Sequence, residues 1–321
     1  MTEFELITRV GEVLPSPFRS EPPTAPPLRV GAVQCAWHPD PGVHRDVLRA
    51  GVQMAAEQGA SIVLLQELTL SPYFCVRPDV SDALDRFGED VATGPTLSLA
   101  SELAQRHRIA VQASLYERTP DGRGFNTCIC VDPSGALIAR TRKTHIPEFQ
   151  HYHEDRYFQP SDADCAVTTV AGARFAFPTC WDQWFPELAR SLSLDGAEVI
   201  VYPTAIGSEP DFPDADTRPM WRQMIAANGL ANATFMIAVN RIGYEDPLTF
   251  YGSSFISDPY GRIVVEAPSD RAAVLVADLD IDQRRDWLGF GLLYTRQPAR
   301  YGRLTSTSDL GRPVPDGAAE Q

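Results

Sequence analysis

The sequence predicts a layered α/β fold in which part of the sheet structure is antiparallel. Apolar strand-like runs alternate with amphipathic helical segments along most of the 321 residues, a pattern typical of sheets covered by helices. Two tight-turn sequences, DPSG at 132–135 and DPYG at 258–261, each join two strand-like runs. Turns of this kind connect antiparallel neighbours, so a purely parallel sheet is not expected. Periodicity alone leaves the layered arrangement open.

The first half of the chain shows the alternation most clearly. LRVGAVQCA is a continuous apolar run, and the apolar residues after Val43 recur at helical spacing until Gly59 stops the pattern. The expected elements are strands at 28–36, 61–65 and 109–116, and helices at 43–58 and 96–108.

The second half repeats the rhythm with more hairpins. The run FNTCICV and the run ALIAR flank the first DPSG turn, while SSFIS and RIVVE flank the DPYG turn. RFAF at 174–177 is a short apolar strand, and AAVLVADLD at 272–280 closes the pattern as one more strand. The chain therefore divides into two comparable halves of strands and helices.

Residues 1–27 differ from the rest of the chain. They contain six prolines between Pro15 and Pro27 and little periodicity beyond Leu14. Proline fixes φ and removes a backbone donor, so we expect an extended arm that is mobile, or laid along the body, or laid along a neighbouring subunit. The expected organisation is this arm, a single domain at 28–305 and a C-terminal tail at 306–321.

Composition excludes several classes of function. The chain has 28 basic and 42 acidic residues and a net charge of −14, which argues against a nucleic-acid or anionic-membrane partner. No apolar run approaches a membrane span, and residues 1–27 lack a signal-peptide core, so we expect a cytoplasmic protein. The six scattered cysteines are expected to be reduced thiols.

Neither a cofactor nor a metal is expected from the motifs. The chain has no Gly-rich phosphate loop. Cys128 and Cys130 share one face of a strand without a second cysteine pair, and His151 and His153 have no acidic or cysteine partner at ligand spacing.

Three chemically competent side chains each follow a predicted strand. Glu67 lies beyond the run ending at Leu65, Lys143 follows ALIARTR, and Cys180 lies between a strand and a predicted helix. A thiol, an acid and an amine are the parts of a cysteine acyl-transfer site. Considered singly, each has an ordinary alternative: a core cysteine, a solvated glutamate and a surface lysine.

With their contexts, these residues resemble the Glu-Lys-Cys triad of the nitrilase, or carbon-nitrogen hydrolase, superfamily. CWDQWFPELAR at 180–190, YPTAIGSEP at 202–210 and TFYGSSFI at 249–256 are most similar to its N-carbamoylputrescine amidases. The resemblance runs from about residue 28 to about residue 286. It implies a four-layer α-β-β-α sandwich, a homo-oligomer of two or more subunits and no cofactor.

The resemblance also implies roles for the site residues. Cys180 is the expected nucleophile and Glu67 the proton carrier, and Lys143 stabilises the oxyanion together with the backbone N–H of Trp181. Tyr73 is expected to support the site or contact the substrate.

Two further glutamates match the family pattern near the triad. Glu117 either pairs with Lys143 or forms a structural salt bridge. Glu154 either touches the substrate or orients Lys143. Arg241, after the apolar strand FMIAV, is either close to the substrate or part of a salt bridge at the sheet edge.

The expected reaction is hydrolysis of an N-carbamoyl amine, similar to N-carbamoylputrescine, to amine, ammonia and carbon dioxide through a thioester-type carbamoyl-enzyme. The alternatives are a β-ureido acid or simple amide as substrate, or a non-catalytic binding protein on the same fold. Pro178, just before the nucleophile, departs from the family pattern, so the bend at Cys180 is expected to differ in shape.

Overall fold

The structure, a computed structural model, describes residues 2–306 and contains two large β-sheets packed face to face. Apart from Ser306, the predicted C-terminal tail lies outside the described residues. In chain order the strands are β1 (Glu5–Arg9), β2 (Leu28–Gln34), β3 (Ile62–Leu64), β4 (Gly88–Glu89), β5 (Ala110–Arg118), β6 (Gly124–Val131), β7 (Leu137–Arg142), β8 (Glu148–Phe149), β9 (Tyr152–His153), β10 (Thr168–Val170), β11 (Ala173–Ala176), β12 (Val199–Pro203), β13 (Phe235–Val239), β14 (Ile242–Glu245), β15 (Leu248–Tyr251), β16 (Phe255–Ser257), β17 (Ile263–Glu266) and β18 (Ala273–Leu279). The helices are α1 (Pro41–Glu57), α2 (Ala83–Phe87), α3 (Pro95–His107), α4 (Pro186–Leu194), α5 (Arg218–Asn232) and α6 (Asp282–Leu288).

Both large sheets mix parallel and antiparallel neighbours. The first has the order β1-β18-β2-β3-β5-β6-β7, with β4 beside β5, and the second has the order β10-β11-β12-β13-β16-β17. The two predicted hairpins are present as the antiparallel pairs β6/β7 and β16/β17. Gly135 adopts φ +84° at the end of the first turn, a conformation that favours glycine. The expectation of a partly antiparallel sheet is therefore confirmed.

Alternating side chains show why the sheets form the centre of a sandwich. In β3, Ile62 and Leu64 pack between the two sheets, whereas Val63 packs with the residues of α1 and α3. In β12, Val199 and Val201 face the other sheet, whereas Ile200 packs toward α4 and α5. Strands buried on both faces read as continuous apolar runs. The α-β-β-α sandwich implied by the family resemblance is confirmed.

Helix α1 shows how the sequence sets the element boundaries. The side chain of Asp40 accepts a hydrogen bond from the backbone N–H of Val43 at 2.9 Å, and Pro41 opens the helix. Gly59, at φ +82°, follows its end.

Within residues 2–306 no helix combines the length and the apolar character needed to cross a bilayer.

The N-terminal arm lies along the body of the domain. Strand β1 pairs in parallel with β18, and the guanidinium of Arg19 donates to Asp280 and Asp286 at 2.6 Å each. The first sheet therefore begins at Glu5, earlier than the predicted domain boundary at residue 28.

Candidate active site

The three predicted triad residues meet in one buried cluster. Glu67 lies just beyond β3 and Lys143 directly follows β7, both in the first sheet, whereas Cys180 follows β11 of the second sheet. Glu67 and Lys143 are fully buried, and Cys180 is 6% exposed. The carboxyl ends of strands from both sheets thus deliver an acid, an amine and a thiol to one place.

Lys143 is held by two carboxylates. Its Nζ donates to Oε1 and Oε2 of Glu154 at 2.9 and 2.7 Å, and to Oε1 of Glu67 at 3.1 Å. Burial opposes the charged form of the amine, but the carboxylates of Glu154 and Glu67 outweigh it and raise the pKa of Lys143 well above its usual value. The lysine therefore stays a cation at neutral pH.

Glu67 keeps one carboxylate oxygen free of hydrogen bonds among the described residues. Its Oε1 accepts from Asn126 Nδ2 at 2.7 Å as well as from Lys143, while the buried Oε2 has no partner there. A buried carboxylate oxygen without a donor is a strong candidate proton acceptor, because protonation relieves the cost of its desolvation.

Cys180 opens a 3-10 turn that covers Cys180–Trp184 and precedes α4. The predicted direct step from strand to helix is therefore interrupted by this turn. Cys180 has φ +43°, a left-handed conformation that few non-glycine residues adopt. Burial, and then the negative charge of Glu67, raise the thiol's pKa well above its usual value, with Lys143 opposing. The thiol is thus protonated at neutral pH and needs a base to become a nucleophile.

Cys180 lines a cavity of about 550 Å³. The wall is mainly apolar and aromatic, and it is lined by Pro147, Phe149, Tyr152, Glu154, Cys180, Trp181, Trp184, Ala205, Ile206, Glu209, Phe212, Ala215 and Thr217. The charged members of this wall are two glutamates, and one of them, Glu154, is bound by Lys143. Glu209 therefore remains as a carboxylate for a bound molecule, and burial raises its pKa.

The geometry of a buried thiol, acid and amine beside a cavity agrees with the similarity of the chain to known proteins. Residues 29–288 match the family model described as carbon-nitrogen hydrolase. The chain belongs to the carbon-nitrogen hydrolase family. It is an enzyme of the class that hydrolyses C–N bonds other than peptide bonds.

Relatives of this carbon-nitrogen hydrolase match it over most of their length. The N-carbamoylputrescine amidase of Solanum lycopersicum is 35% identical over 296 residues, which cover 89% of this chain and 97% of the relative. The citrullinase of Francisella tularensis is 35% identical over 286 residues, covering 86% and 98%. The crystal structure of the carbon-nitrogen hydrolase of Helicobacter pylori has a TM-score of 0.78 at 26% identity, and the alignment covers 87% of this chain and 98% of that one.

Glu117 does not take the place next to Lys143 that was one of its two expected roles. Its carboxylate, on β5, accepts hydrogen bonds from Arg140 and Arg142 on β7 and from Thr127 on β6. These partners lower the pKa of Glu117 although burial acts against them. The hydrolase therefore uses Glu117 as a structural ion-pair partner, and Glu154 holds Lys143.

Tyr73 and Trp181 lie at the site in different ways. The buried hydroxyl of Tyr73 donates to Oε1 of Glu154 at 2.8 Å, so Tyr73 supports the carboxylate that binds Lys143. Trp181 lines the cavity and packs against Phe149, with ring centroids 5.0 Å apart. As the second residue of its turn, Trp181 has a backbone N–H without a partner within the turn.

Asp182 connects the segment that follows Lys143 to the turn that begins at Cys180. The sequence analysis did not identify this residue. Its carboxylate accepts from the backbone N–H of His145 at 2.8 Å and from that of Thr179 at 3.0 Å. The Thr179-x-x-Asp182 spacing is a capping-box pattern and would have identified it. Pro178 lies beyond the end of β11 at Ala176, so it removes no hydrogen bond from the strand.

Of the two roles expected for Arg241, the structure shows the salt bridge, which is formed with Glu245. The fully buried side chain of Arg241 binds Glu245 and backbone carbonyls of the segment that carries Glu67.

Within residues 2–306 no group of three or more His, Cys, Asp or Glu side chains is placed to hold a metal ion.

Proposed function

We propose that Cys180, Glu67 and Lys143 are the catalytic residues of an N-carbamoyl amine hydrolase. The observation that carries the proposal is the cluster itself: a protonated thiol at the cavity wall, a cation, and a carboxylate with one unpaired buried oxygen. These are the parts that thiol-based acyl transfer needs.

In the first half of the reaction, Glu67 takes the proton of the Cys180 thiol and the sulfur attacks the ureido carbon. The oxyanion that forms is stabilised by Lys143 and the backbone N–H of Trp181. The C–N bond to the terminal NH₂ breaks, and this nitrogen leaves as ammonia with the proton returned by Glu67. A carbamoyl thioester on Cys180 remains.

In the second half, Glu67 takes a proton from water, and the resulting hydroxide attacks the thioester carbon. The C–S bond breaks, the sulfur regains the proton, and the carbamic acid that leaves decomposes to amine and carbon dioxide. Lys143 serves both halves because its raised pKa keeps it charged throughout.

The charge of the cavity wall favours an ammonium-tailed substrate. Glu209 can pair with a cation, and the described wall contains no arginine or lysine for a carboxylate tail. Aromatic rings such as Trp184 and Phe212 add apolar area and faces that attract cations. The similarity to the N-carbamoylputrescine amidases agrees with this choice.

A substrate panel tests the proposal through ammonia release. We expect turnover of N-carbamoylputrescine to exceed that of citrulline, a β-ureido acid and a simple amide, and the Cys180→Ala variant to be inactive. A preference for the β-ureido acid would contradict the ammonium tail. Absence of turnover of every member, without a mass shift on Cys180, would indicate a binding protein instead.

Two features support a cytoplasmic homo-oligomer as the working form. All six cysteines are free and buried, as suits a reducing compartment. Leu194 and Leu304, which are 48% and 64% exposed, line a groove between α4, α5 and the C-terminal segment that a second copy of the chain would cover. Light scattering of the purified protein tests the oligomeric state, and a monomer at micromolar concentration would contradict the homo-oligomer.

A further inference from the structure

The ion pair of Arg241 and Glu245 connects the end of a strand in the second sheet with the backbone that carries Glu67, the candidate base. Arg241 lies just beyond β13, and its Nη1 donates to Oε1 of Glu245, at the end of β14, at 2.7 Å. The guanidinium is fully buried and the carboxylate is 12% exposed. A buried charged pair is costly to desolvate, and the remaining N–H groups of the cation need partners. Nη2 of Arg241 has such partners, whereas its buried Nε has none among the described residues.

The second nitrogen of the guanidinium binds the backbone that carries Glu67. Nη2 donates to the carbonyl oxygens of Glu67 at 2.7 Å, Leu68 at 3.1 Å and Ser71 at 3.3 Å. Leu68 has φ +48°, which is unfavourable for a leucine unless its surroundings hold it there. Three carbonyls of one short segment therefore converge on one nitrogen, which fixes the bend that aims the Glu67 side chain.

The carboxylate of the pair extends the connection to the second acid of the cluster. Oε2 of Glu245 accepts from the backbone N–H of Tyr73 at 2.7 Å. The hydroxyl of Tyr73 in turn donates to Glu154, which binds Lys143. One ion pair is thus linked to Glu67 on one side and to Glu154 on the other.

We propose that Arg241 and Glu245 are positioning residues that hold both glutamates on Lys143 in the geometry for proton transfer. The inference rests on the function proposed above, because it gives Glu67 the role of base. Arg241 is not among the described residues of the cavity wall, so it acts through Glu67 and not on the substrate. A displacement of a reacting group by about 1 Å costs on the order of 100-fold in rate.

The first test compares Arg241→Lys with Arg284→Lys. Arg284 is a matched control because it is also buried and also donates to backbone carbonyls, those of Asn232, Ala233 and Ser193 at the ends of α4 and α5. Both variants are expected to melt at a lower temperature. Only Arg241→Lys is expected to lower kcat per folded molecule, by about 10- to 100-fold with KM within about threefold, and to shift the acid limb of the kcat profile. Glu245→Gln should show the same pattern with a smaller loss. Equal kcat loss in both arginine variants, or none in Arg241→Lys, overturns the positioning role.

The second test does not depend on the substrate. Iodoacetamide alkylates the thiolate of Cys180, so the rate follows the fraction of this side chain that has lost its proton. Peptide mass spectrometry separates this site from the other five cysteines. We expect Arg241→Lys to slow the alkylation by about tenfold or more relative to wild type and Arg284→Lys, since a misplaced base takes the proton less readily. Slower alkylation in a protein that turns over no ureide would uphold the positioning and reject the proposed function. Equal rates and equal pH dependence in wild type and Arg241→Lys would reject the positioning alone.

Discussion

The ammonium of Lys143 is bound by both carboxylate oxygens of Glu154, at 2.9 and 2.7 Å. Glu67 is the more distant partner at 3.1 Å and offers only one oxygen. Glu154 therefore supplies most of the neutralisation of the buried lysine, and the second oxygen of Glu67 has no hydrogen-bond partner among the described residues. In the proposed reaction this oxygen takes and returns the proton, so the two acids have different tasks.

This division of tasks predicts that Glu154→Gln and Glu117→Gln have different effects. In Glu154→Gln, Lys143 keeps only Glu67 as a carboxylate partner, so Glu67 has to neutralise the buried lysine alone, and kcat is expected to fall by about 100-fold. Glu117→Gln weakens the contacts with Arg140 and Arg142 and is expected to lower the free energy of unfolding by about 1–3 kcal/mol with kcat within about threefold. Steady-state kinetics and urea unfolding measure both. Full kcat in Glu154→Gln would contradict the division.

Most of the fold could be predicted because its signals are local. The apolar run of β3 and the helical spacing of α1 each depend on neighbouring residues, as do the two hairpin turns. Strand β1 escaped prediction because ELITR is short and mostly exposed. It becomes a strand only through its parallel partner β18, which lies at the other end of the chain. The sandwich itself followed from the family resemblance and not from periodicity.

Prediction of the candidate site from the sequence was limited in the same way, to features that depend on neighbouring residues. Glu67, Lys143 and Cys180 stand at strand ends that sequence patterns locate, and the structure brings them together. Which glutamate reaches Lys143 depends on the register of β5 with β6 and on the loop after Lys143, and neither is encoded in a short motif. The contacts of Arg241 with the Glu67 segment join residues more than 170 positions apart in the sequence.

The titration of Glu154 predicts a pH dependence of stability. Burial raises its pKa from 4.5 to about 7 in the folded protein, although Lys143 acts in the opposite direction. Because the folded-state value is the higher one, the folded protein binds this proton more tightly than the unfolded chain does. The contribution is complete below about pH 4.5 and is lost as the pH rises through about 7. Urea unfolding between pH 5 and 8 should therefore show a smaller decline in Glu154→Gln than in wild type. Parallel declines in the two proteins would show that Glu154 does not titrate in this range.

The N-terminal arm is expected to contribute to stability through Arg19. Its guanidinium, 21% exposed, binds Asp280 and the buried Asp286. Arg19→Ala leaves those carboxylates without this cation and should lower the free energy of unfolding by about 2 kcal/mol with kcat unchanged. Arg49→Ala is the matched control, because Arg49 binds the exposed Asp46 and Glu102. Such pairs contribute about 0–1 kcal/mol. Chemical unfolding measures both, and equal losses would show that the arm contact is no stronger than a surface pair.

Recognition of the substrate's tail by Glu209 gives the last prediction. Glu209 is the carboxylate of the cavity wall that Lys143 does not bind, so Glu209→Gln removes the partner of an ammonium tail while keeping the shape of the side chain. KM for N-carbamoylputrescine should rise about tenfold, equivalent to about 1.4 kcal/mol of binding. KM for butylurea, which has a neutral tail of similar length, should stay within about twofold. Asp211→Asn removes a neighbouring, 55% exposed carboxylate that is not part of the described wall, and it should leave both values unchanged. An equal rise of KM for the two ureas in Glu209→Gln would mean that Glu209 shapes the cavity and does not recognise the charge of the tail.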